Sequence, residues 1–295
     1  MSYNSINPLR WYLKKAARKG MTLATLASGR LRFGNAPSGT SQVRVLTYHQ
    51  FGNARRDPFC VGLDDFEAQM AWLARQNLAV TLTDIESFLE GEKVLPNGAA
   101  LVTVDDGFQS LYLGALPILK KYAIPAVAFI TVSKIGTGSR TTNTTTGDYT
   151  ETYLTWGEIE ALAETGIVIG SHAWTHRSLG KMSLDEAREE AVCSREVLEK
   201  KLGLTVTAFA YPFGTLADFN ESTAIILKES GYKLAFTSQH GAIQQKLDPL
   251  ALPRVKVEGG EELWMFRLLV SGGLDDWRWI DRKLWRLQQS PADPV

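Results

Sequence analysis

Two adjacent aspartates are the first residues in this sequence whose types and spacing indicate chemistry. Asp105 and Asp106 directly follow an apolar run and precede Gly107. Two neighbouring carboxylates repel each other unless a cation lies between them or one is protonated. The glycine permits a tight turn beside a ligand. The same three residues also fit an ordinary turn or helix cap, so they do not establish a function alone.

Two histidines give a sharper signal. His172 and His176 are separated by three residues and follow another apolar run, in a chain with 4 histidines in total. Imidazoles at this spacing can reach one metal ion from a helical turn or tight loop, although packed histidines without a ligand show the same spacing. With one aspartate they make a two-histidine, one-carboxylate set that leaves positions for water and substrate.

The elements that must position these residues alternate along the chain. Strand-like apolar runs cover residues 43–48, 80–82, 100–104, 126–132, 167–169, 205–210, 234–237 and 252–257, and helical periodicity fills most of the intervals. This alternation predicts an α/β fold with a parallel sheet, and seven or eight units favour a (β/α) barrel. Catalytic groups of such folds collect at the carboxyl ends of strands. We therefore expect His49, the aspartate pair and the histidine pair to meet at one rim.

Three further segments give local predictions. Thr83 is predicted to cap a helix over residues 84–89, with Glu86 three positions later. Residues 134–152 are dominated by Thr, Gly, Ser and Asn, which predicts a long surface loop. His240 stands in the segment 238–241, next to Gly241 and after another strand-like run, and is interpreted as a loop histidine outside the site.

Composition limits the function classes. The chain has 295 residues, of which 44% are hydrophobic, so one large domain with a full core is expected. The formal net charge is zero, which does not favour nucleic acid as a partner. The two cysteines, Cys60 and Cys193, are far apart and are interpreted as reduced, buried thiols rather than a disulfide framework.

The positive charge is concentrated at the N-terminus. Residues 1–56 contain ten Lys and Arg and no Asp or Glu, and residues 9–33 mix basic with aromatic and aliphatic side chains. Two interpretations stay open, a solvated tail or peripheral contact with an anionic membrane. The apolar part is too short to span a bilayer, and it has no clear signal-peptide pattern. A cytoplasmic location is predicted, with the inner membrane face as the site of any such contact. Residues 35–42 are predicted to be a linker.

Three motifs, taken in order, resemble the polysaccharide deacetylase family, also called the NodB-homology domain or carbohydrate esterase family four. They comprise residues 103–107, 171–176 and 210–214. The resemblance implies a deformed (β/α) barrel of about seven parallel strands over residues 43–258. Residues 1–42 would then form a basic N-terminal segment with its linker, and residues 259–295 a C-terminal helical extension.

The resemblance also implies roles for particular residues. Asp105 matches the catalytic base of the family. Asp106, His172 and His176 match the ligands of a divalent metal, with zinc favoured over cobalt, nickel or manganese. Phe213 follows the proline of the third motif, where a backbone N–H of the family holds the oxyanion.

The sequence departs from the family at two positions. Ala210 stands where the third motif usually has an arginine, and the last strand-like run lacks the usual general-acid histidine. His49 resembles the corresponding residue of a rearranged branch, which includes poly-N-acetylglucosamine deacetylases and takes its acid from an N-terminal strand. We therefore expect His49 to act as the acid and Arg254 to replace the missing arginine beside Asp105. The acidic fourth motif with its tryptophan is not recognisable.

These observations predict an enzyme that removes N-acetyl groups from a glycan or from a lipid-linked sugar. Two alternatives stay open, an O-acetyl esterase on a polymer such as acetylated xylan and a catalytically silent carbohydrate-binding protein. Asp105 favours an enzyme, because a binding protein has no need of a second carboxylate beside the metal ligand. Four aromatic residues are candidates for stacking on sugar rings: Trp156, Trp174, Tyr211 and Phe213.

Overall fold

The fold was analysed in a computed structural model that describes residues 8–29, 31, 41–53, 57–138, 140–144 and 147–288. Its helices are α1 (Pro8–Ala27), α2 (Leu63–Gln76), α3 (Leu82–Leu89), α4 (Leu116–Lys121), α5 (Trp156–Glu164), α6 (Leu184–Leu202), α7 (Glu221–Glu229), α8 (Leu263–Val270) and α9 (Arg278–Gln288). Its strands are β1 (Arg44–Tyr48), β2 (Gln50–Phe51), β3 (Cys60–Val61), β4 (Ala100–Val104), β5 (Ala126–Ile130), β6 (Arg140–Thr144), β7 (Gly147–Glu151), β8 (Val168–Ser171), β9 (Ala208–Ala210), β10 (Leu234–Phe236) and β11 (Val255–Lys256). Short 3-10 or π turns occupy Leu111–Ala115, Val132–Lys134, Leu179–Lys181 and Asp275–Trp277.

Seven parallel strands form the central sheet, in the order β10-β9-β8-β5-β4-β1-β11. The chain segment 252–256, which includes β11, contacts strands towards both ends of this order. Leu252 makes an isolated parallel bridge with Phe236 of β10, and Val255 pairs with Leu46 of β1. The sheet therefore curls around on itself, and the predicted deformed (β/α) barrel of about seven strands is confirmed.

The barrel strands are buried on both faces, which explains why they appear in the sequence as continuous apolar runs. All five residues of β4 and all five of β5 are buried. Alternate side chains supply two separate cores. Leu101 and Phe129 belong to one cluster with Phe236, whereas Val102 and Ala128 pack in the larger cluster that includes the helices.

Reciprocal side-chain caps fix where several helices begin. Ser183 caps α6 together with Glu186, and Thr155 caps α5 together with Glu158. The predicted cap at Thr83 is wrong. Thr81 accepts a hydrogen bond from the Asp84 N–H at 3.1 Å, and Asp84 accepts one from the Thr81 N–H at 2.7 Å. This reciprocal pair starts α3 at Leu82, in place of the strand predicted there.

Residues 134–152 are more regular than a loop. Strands β6 and β7 pair in antiparallel register from Arg140 opposite Glu151 to Thr144 opposite Gly147. The expectation of a structureless loop is therefore wrong for this part of the segment. The threonines that suggested a loop are β-branched residues, which also suit an extended strand.

Part of the basic N-terminal segment is a helix that packs on the rest of the molecule. Helix α1 contacts α8, and Arg18 is buried against Glu261 with an Nε–Oε1 distance of 2.6 Å. The expectation of a solvated tail is therefore wrong for residues 8–27, because internal ion pairs fix this helix. The predicted linker lies mostly outside the described residues, and the division into three segments stays a prediction. The two cysteines are not joined in a disulfide, and Cys60 is buried whereas Cys193 is partly exposed.

Candidate metal and catalytic site

The carboxyl ends of the parallel strands bring together most of the predicted site residues. Asp105 and Asp106 directly follow β4, and His172 directly follows β8. His49 directly follows β1. Because β1, β4 and β8 point the same way, their carboxyl ends share one rim of the barrel. Arg254 lies at the amino end of β11 instead, and its long side chain reaches Asp105.

Asp106, His172 and His176 form a compact ligand set. Asp106 Oδ1 lies 3.3 Å from His172 Nε2 and 3.1 Å from His176 Nε2. One potential ligand atom from each residue falls within 4.8 Å of the others, the one such group found among the described residues. The arrangement suits a divalent cation with two imidazole ligands and one carboxylate ligand.

The protonation of His172 is fixed by its second ring nitrogen. His172 Nδ1 lies 2.7 Å from the Ala210 carbonyl oxygen, which can only accept a hydrogen bond. Nδ1 therefore carries a hydrogen, and Nε2, which faces Asp106, is the nitrogen that could coordinate a metal ion in place of its own proton. In this structure burial lowers the pKa of His172, but the hydrogen bond to Asp106 and the charge of Asp105 outweigh it and raise the pKa.

Glu190 of α6 holds the loop that carries the two histidines. Its Oε2 accepts hydrogen bonds from the backbone N–H groups of Trp174 and Thr175, each at 2.8 Å. Its other oxygen accepts a hydrogen bond from the Thr175 hydroxyl. A buried carboxylate thus replaces the backbone partners that this irregular loop lacks, and it fixes the orientation of His172 and His176.

The backbone of the site is strained. Non-glycine residues with positive φ include Asp106 at 72°, Ala173 at 64°, His176 at 65° and Phe213 at 62°. Each such conformation costs on the order of 1–3 kcal/mol and persists only where surrounding contacts enforce it. These residues cluster in the three motif loops, which is typical of a functional site.

Arg254 holds Asp105 through a two-pronged contact. Arg254 Nη1 donates to Asp105 Oδ1 at 2.8 Å, and Nη2 donates to Oδ2 at 2.6 Å. The Arg254 Nε–H donates to the Thr237 carbonyl at 2.9 Å, so the guanidinium is itself fixed. Burial would raise the pKa of Asp105, but the charge of Arg254 and then that of His172 outweigh it and lower the pKa. Asp105 is therefore an ionised carboxylate at neutral pH.

His49 lies beside the aspartates in an apolar setting. Its ring packs edge-on against Phe59 at 4.9 Å, and its Nδ1 is buried without a hydrogen-bond partner among the described residues. Burial lowers the pKa of His49 to about 4, although the charges of Asp106 and Asp105 oppose this change. The imidazole is neutral at neutral pH in the protein without ligands.

Lys256 is a cation near the site that the sequence interpretation did not select. Its Nζ lies 3.2 Å from the centre of the Phe59 ring, the same ring that His49 contacts. Burial, together with repulsion from Lys14, lowers the pKa of Lys256 to about 7. The sequence did contain a signal for Lys256. It stands two positions after Arg254, and alternate residues of an extended segment point to the same face.

Other predicted residues have different surroundings. Tyr211 is fully buried and donates its hydroxyl hydrogen to the Leu250 carbonyl, so its predicted stacking on a sugar is wrong. Trp156, Trp174 and Phe213 are partly exposed, and Phe213 packs against His176 with ring centres 4.9 Å apart. His240 pairs with Asp281 of α9 at 3.0 Å and is not part of the ligand set.

Known proteins share this sequence pattern. The sequence profile described as polysaccharide deacetylase matches residues 92–235. YxkH of Bacillus subtilis, assigned to the polysaccharide deacetylases, is 30% identical over 224 residues, which cover 75% of this chain and 73% of YxkH. The poly-beta-1,6-N-acetyl-D-glucosamine N-deacetylase of Staphylococcus epidermidis is 27% identical over 203 residues, 65% of this chain and 66% of that protein.

Solved structures show the same architecture. The structure of IcaB from Ammonifex degensii has a TM-score of 0.64 and 26% identity, and the match covers 79% of this chain and 97% of IcaB. The Streptococcus pyogenes deacetylase PplD, solved in complex with acetate, has a TM-score of 0.67 over 78% of this chain and 98% of PplD. At 23% identity the latter likeness concerns the fold alone.

Proposed function

This chain belongs to the polysaccharide deacetylase family, and we propose that it is a metal-dependent hydrolase removing N-acetyl groups from an N-acetylated glycan or glycolipid. The observation that carries the proposal is an ionised carboxylate, Asp105, directly beside the Asp106, His172 and His176 set. One group can accept a proton while its neighbour holds a Lewis acid, and metal-assisted hydrolysis of an amide uses both.

The residues fit a divalent metal. Asp106 offers a carboxylate oxygen, and the fixed tautomer of His172 leaves its Nε2 free to coordinate. Zinc suits two imidazoles and one carboxylate best, and cobalt, nickel and manganese accept the same ligands. When bound, such an ion polarises the acyl carbonyl and makes a coordinated water more acidic.

Asp105 is the proposed general base. Its two oxygens are held by Arg254, so the carboxylate has one orientation and keeps its charge despite burial. It takes a proton from the water that attacks the acetamide carbon. Arg254 touches Asp105 rather than a reacting atom, so we propose it as a positioning residue.

Phe213 is the proposed source of an oxyanion donor. Its positive φ turns the backbone sharply after Pro212, and no described residue accepts a hydrogen bond from its N–H. The Pro212 carbonyl, which belongs to the same peptide as the Phe213 N–H, accepts a hydrogen bond from the Gly214 N–H at 2.7 Å, and this bond fixes that peptide. A backbone donor held in this way stabilises the charge that develops on the acyl oxygen.

Protonation of the leaving amine needs an acid, and we propose His49 for it. The charges of Asp106 and Asp105 act on the His49 imidazole, and its buried Nδ1 has no hydrogen-bond partner among the described residues. Its lowered pKa makes it neutral before the reaction, so it must first receive the proton released to Asp105. Lys256 has a pKa of about 7 and contacts the same Phe59 ring, so it is the alternative proton donor to the amine.

The substrate proposal rests on the named relatives and on the exposed aromatic residues. The Staphylococcus epidermidis relative is named for N-deacetylation of poly-beta-1,6-N-acetyl-D-glucosamine, which supports an N-acetylated glycan here. Partly exposed Trp174 and Phe213 flank His176 and can pack against a sugar face. An O-acetylated polymer such as xylan is the alternative substrate, because the same groups cleave esters.

Acetate release is the decisive experiment. The purified chain is incubated with zinc and chitooligosaccharides, and free acetate and new primary amines are both quantified. Asp105→Asn is the test variant, because it keeps the shape of the side chain and removes the base. Asp64→Asn is the matched control, since Asp64 is an exposed aspartate at the start of α2.

We expect zinc-dependent release of acetate and amine in equal amounts, unchanged in Asp64→Asn and reduced about 10²- to 10⁴-fold in Asp105→Asn. Release from acetylated xylan but not from chitooligosaccharides would favour the esterase. Bound zinc without turnover of chitooligosaccharides, acetylated xylan or lipid-linked acetamido sugars would show a carbohydrate-binding protein instead.

A further inference from the structure

Helix α1 is amphipathic in an unusual sense, because its polar face points inward. Four of its residues are buried against the domain: Lys15, Arg18, Thr22 and Thr25. Five of its large apolar side chains are exposed instead: Leu9 by 66%, Tyr12 by 61%, Leu13 by 61%, Leu23 by 49% and Leu26 by 43%. Trp11 and Met21 are partly buried. A helix of a globular protein normally buries its apolar stripe.

Ion pairs fix the helix in this orientation. Arg18 is 1% exposed and pairs with Glu261 at 2.6 Å, and its Nη2 donates to the Lys256 carbonyl at 2.9 Å. Lys14 pairs with Glu258 at 2.6 Å. Rotating the helix to bury its leucines would leave Glu258 and Glu261 buried without partners, which costs several kcal/mol per charge. The exposed apolar face is therefore enforced by the structure.

The outer face has a distinct arrangement of side chains. At 100° per residue, Leu9, Tyr12, Leu13 and Leu23 project within one sector of the helix. Exposed Arg10 stands at one border of that sector, and partly exposed Lys19 at the other. An apolar strip with basic residues at its borders is the arrangement of helices that lie in a membrane interface. We call these four apolar residues the α1 outer face.

Charge favours one occupant for the α1 outer face. Five of the ten basic residues among residues 1–56 already pair with carboxylates of the domain: Lys14, Lys15, Arg18, Lys19 and Arg44. Two further arginines, Arg30 and Arg32, follow α1 directly in the sequence, and no acidic residue occurs before Asp57. A second copy docked on the same face would bring these arginines towards like charges. An anionic bilayer supplies negative charge for the arginines and an apolar phase for the α1 outer face. None of the described helices is long and apolar enough to cross a bilayer. The exposed apolar residues lie along one side of α1, and this arrangement favours contact parallel to the surface.

We propose that α1 docks this protein onto an anionic lipid surface, with the α1 outer face inserted among the acyl chains. Because α1 is joined to the barrel through Arg18 and the Lys256 carbonyl, the barrel is held in a fixed orientation to that surface. The proposal does not depend on which bond the enzyme cleaves.

Vesicle sedimentation tests the proposal on the full chain. Vesicles of phosphatidylcholine alone are compared with vesicles that also contain phosphatidylglycerol, at low and at high salt. The test variant is Leu13→Glu with Leu23→Glu. The matched control is Leu113→Glu with Leu184→Glu, which changes two equally exposed leucines elsewhere on the surface. Thermal melting and acetate release from chitooligosaccharides show that each variant is folded.

We expect the wild-type chain and the control to sediment with phosphatidylglycerol vesicles and to lose binding at high salt. The test variant should bind at least about tenfold more weakly, since each buried leucine contributes about one to two powers of ten to partitioning. Equal binding of all three proteins, or none by the wild type, would overturn the proposal. So would a wild-type dimer, measured by light scattering, that only the test variant dissociates, because that result identifies a second copy as the occupant.

Discussion

Arg254 and Asp105 are 149 positions apart in sequence, yet both Asp105 oxygens are held by Arg254, at 2.8 and 2.6 Å. Arg254 lies near Asp105 because β11 pairs with β1 and β1 pairs with β4. The Arg254 guanidinium is also held by the Thr237 carbonyl at the far edge of the sheet, where Leu252 bridges to Phe236. Closure of the barrel therefore also orients the proposed base. The first prediction tests this relationship.

Arg254→Gln should lower both activity and stability. Removing one partner of a buried pair leaves Asp105 charged and unpaired, which costs about 3–5 kcal/mol at neutral pH. The lowered pKa of Asp105 means that its pairing stabilises the folded state at neutral pH, and that this contribution is lost as pH falls through the folded-state pKa. The stability gap between wild type and variant should therefore narrow at acidic pH. Urea unfolding over a pH series measures it.

The control for this series is Arg188→Gln, because Arg188 makes an exposed pair with Glu229 at 2.6 Å. Exposed pairs contribute about 0–1 kcal/mol, so this variant should change little at any pH. A stability gap for Arg254→Gln that is small, or that does not depend on pH, would contradict the proposed role of the pair.

His49→Gln should discriminate between substrates by their leaving groups. An amine must be protonated as it departs, so acetamide cleavage should fall about 10²- to 10⁴-fold. An aryl acetate releases a phenolate that needs no proton, so its hydrolysis should change much less. Parallel assays with chitooligosaccharide and aryl acetate measure both rates, and zinc content is checked by elemental analysis. If His49→Gln slows both substrates equally while Lys256→Met spares only the aryl acetate, then Lys256 is the acid.

Acidification should lower the stability of the metal-free protein, because the folded state holds His49 in its neutral form. Its folded pKa of about 4 is below its ordinary value of 6.5, so the unfolded chain binds more protons between these values. Stability should therefore fall as pH drops from about 6.5 to about 4, by up to about 3 kcal/mol from this residue. Denaturant unfolding of wild type and His49→Gln over this interval isolates the difference. Parallel curves would show that the imidazole is not buried as described.

Zinc should raise the melting temperature through the Asp106, His172 and His176 set. A ligand that binds only the folded state stabilises it by about 2.7 kcal/mol at a hundredfold excess over Kd. His176→Gln should lose most of this increment. His240→Gln is the matched control, because His240 is also buried against a carboxylate, Asp281, but lies outside the set. Melting curves of chelator-treated protein with and without zinc decide the point, and an equal loss in both variants would contradict the assignment.

Glu190→Ala should weaken zinc binding without touching a ligand. Glu190 accepts two backbone N–H hydrogen bonds from the loop between His172 and His176. Loss of such support typically lowers metal affinity about 10- to 100-fold. Isothermal titration with zinc measures the affinity. Glu189→Ala on the same helix is the control, since Glu189 is exposed. Equal zinc affinity in the two variants would mean that the loop keeps its conformation without Glu190.

Local rules made much of the site predictable. Apolar runs predicted parallel strands, and Asp106, His172 and His176 converge because the carboxyl ends of parallel strands share one rim. Helix α6 lies in one of the intervals in which helical periodicity was predicted, since an amphipathic pattern is a local signal. The start of α3 was misplaced by two residues, since Thr81 and Thr83 are both plausible caps and only the observed bonds to Asp84 distinguish them.

Solvent exposure was harder to predict than position. Tyr211 was expected to face a sugar, yet it is buried with its hydroxyl bonded to the Leu250 carbonyl. Composition identified the basic character of residues 8–27 but not the direction of each face, because the inward orientation of α1 depends on Glu258 and Glu261, more than 200 positions later.

The sequence by itself determined the family, the strand-helix alternation and the three residues of the candidate metal site, because these depend on residue types within short motifs. Only the tertiary structure decided that Arg254 holds Asp105 in two-pronged contact, that Lys256 shares an aromatic ring with His49, and that α1 turns its leucines outward. Each of these facts joins residues distant in the chain. Their contacts exist only after the barrel closes, and the burial that sets their charges and pKa values arises from the same closure.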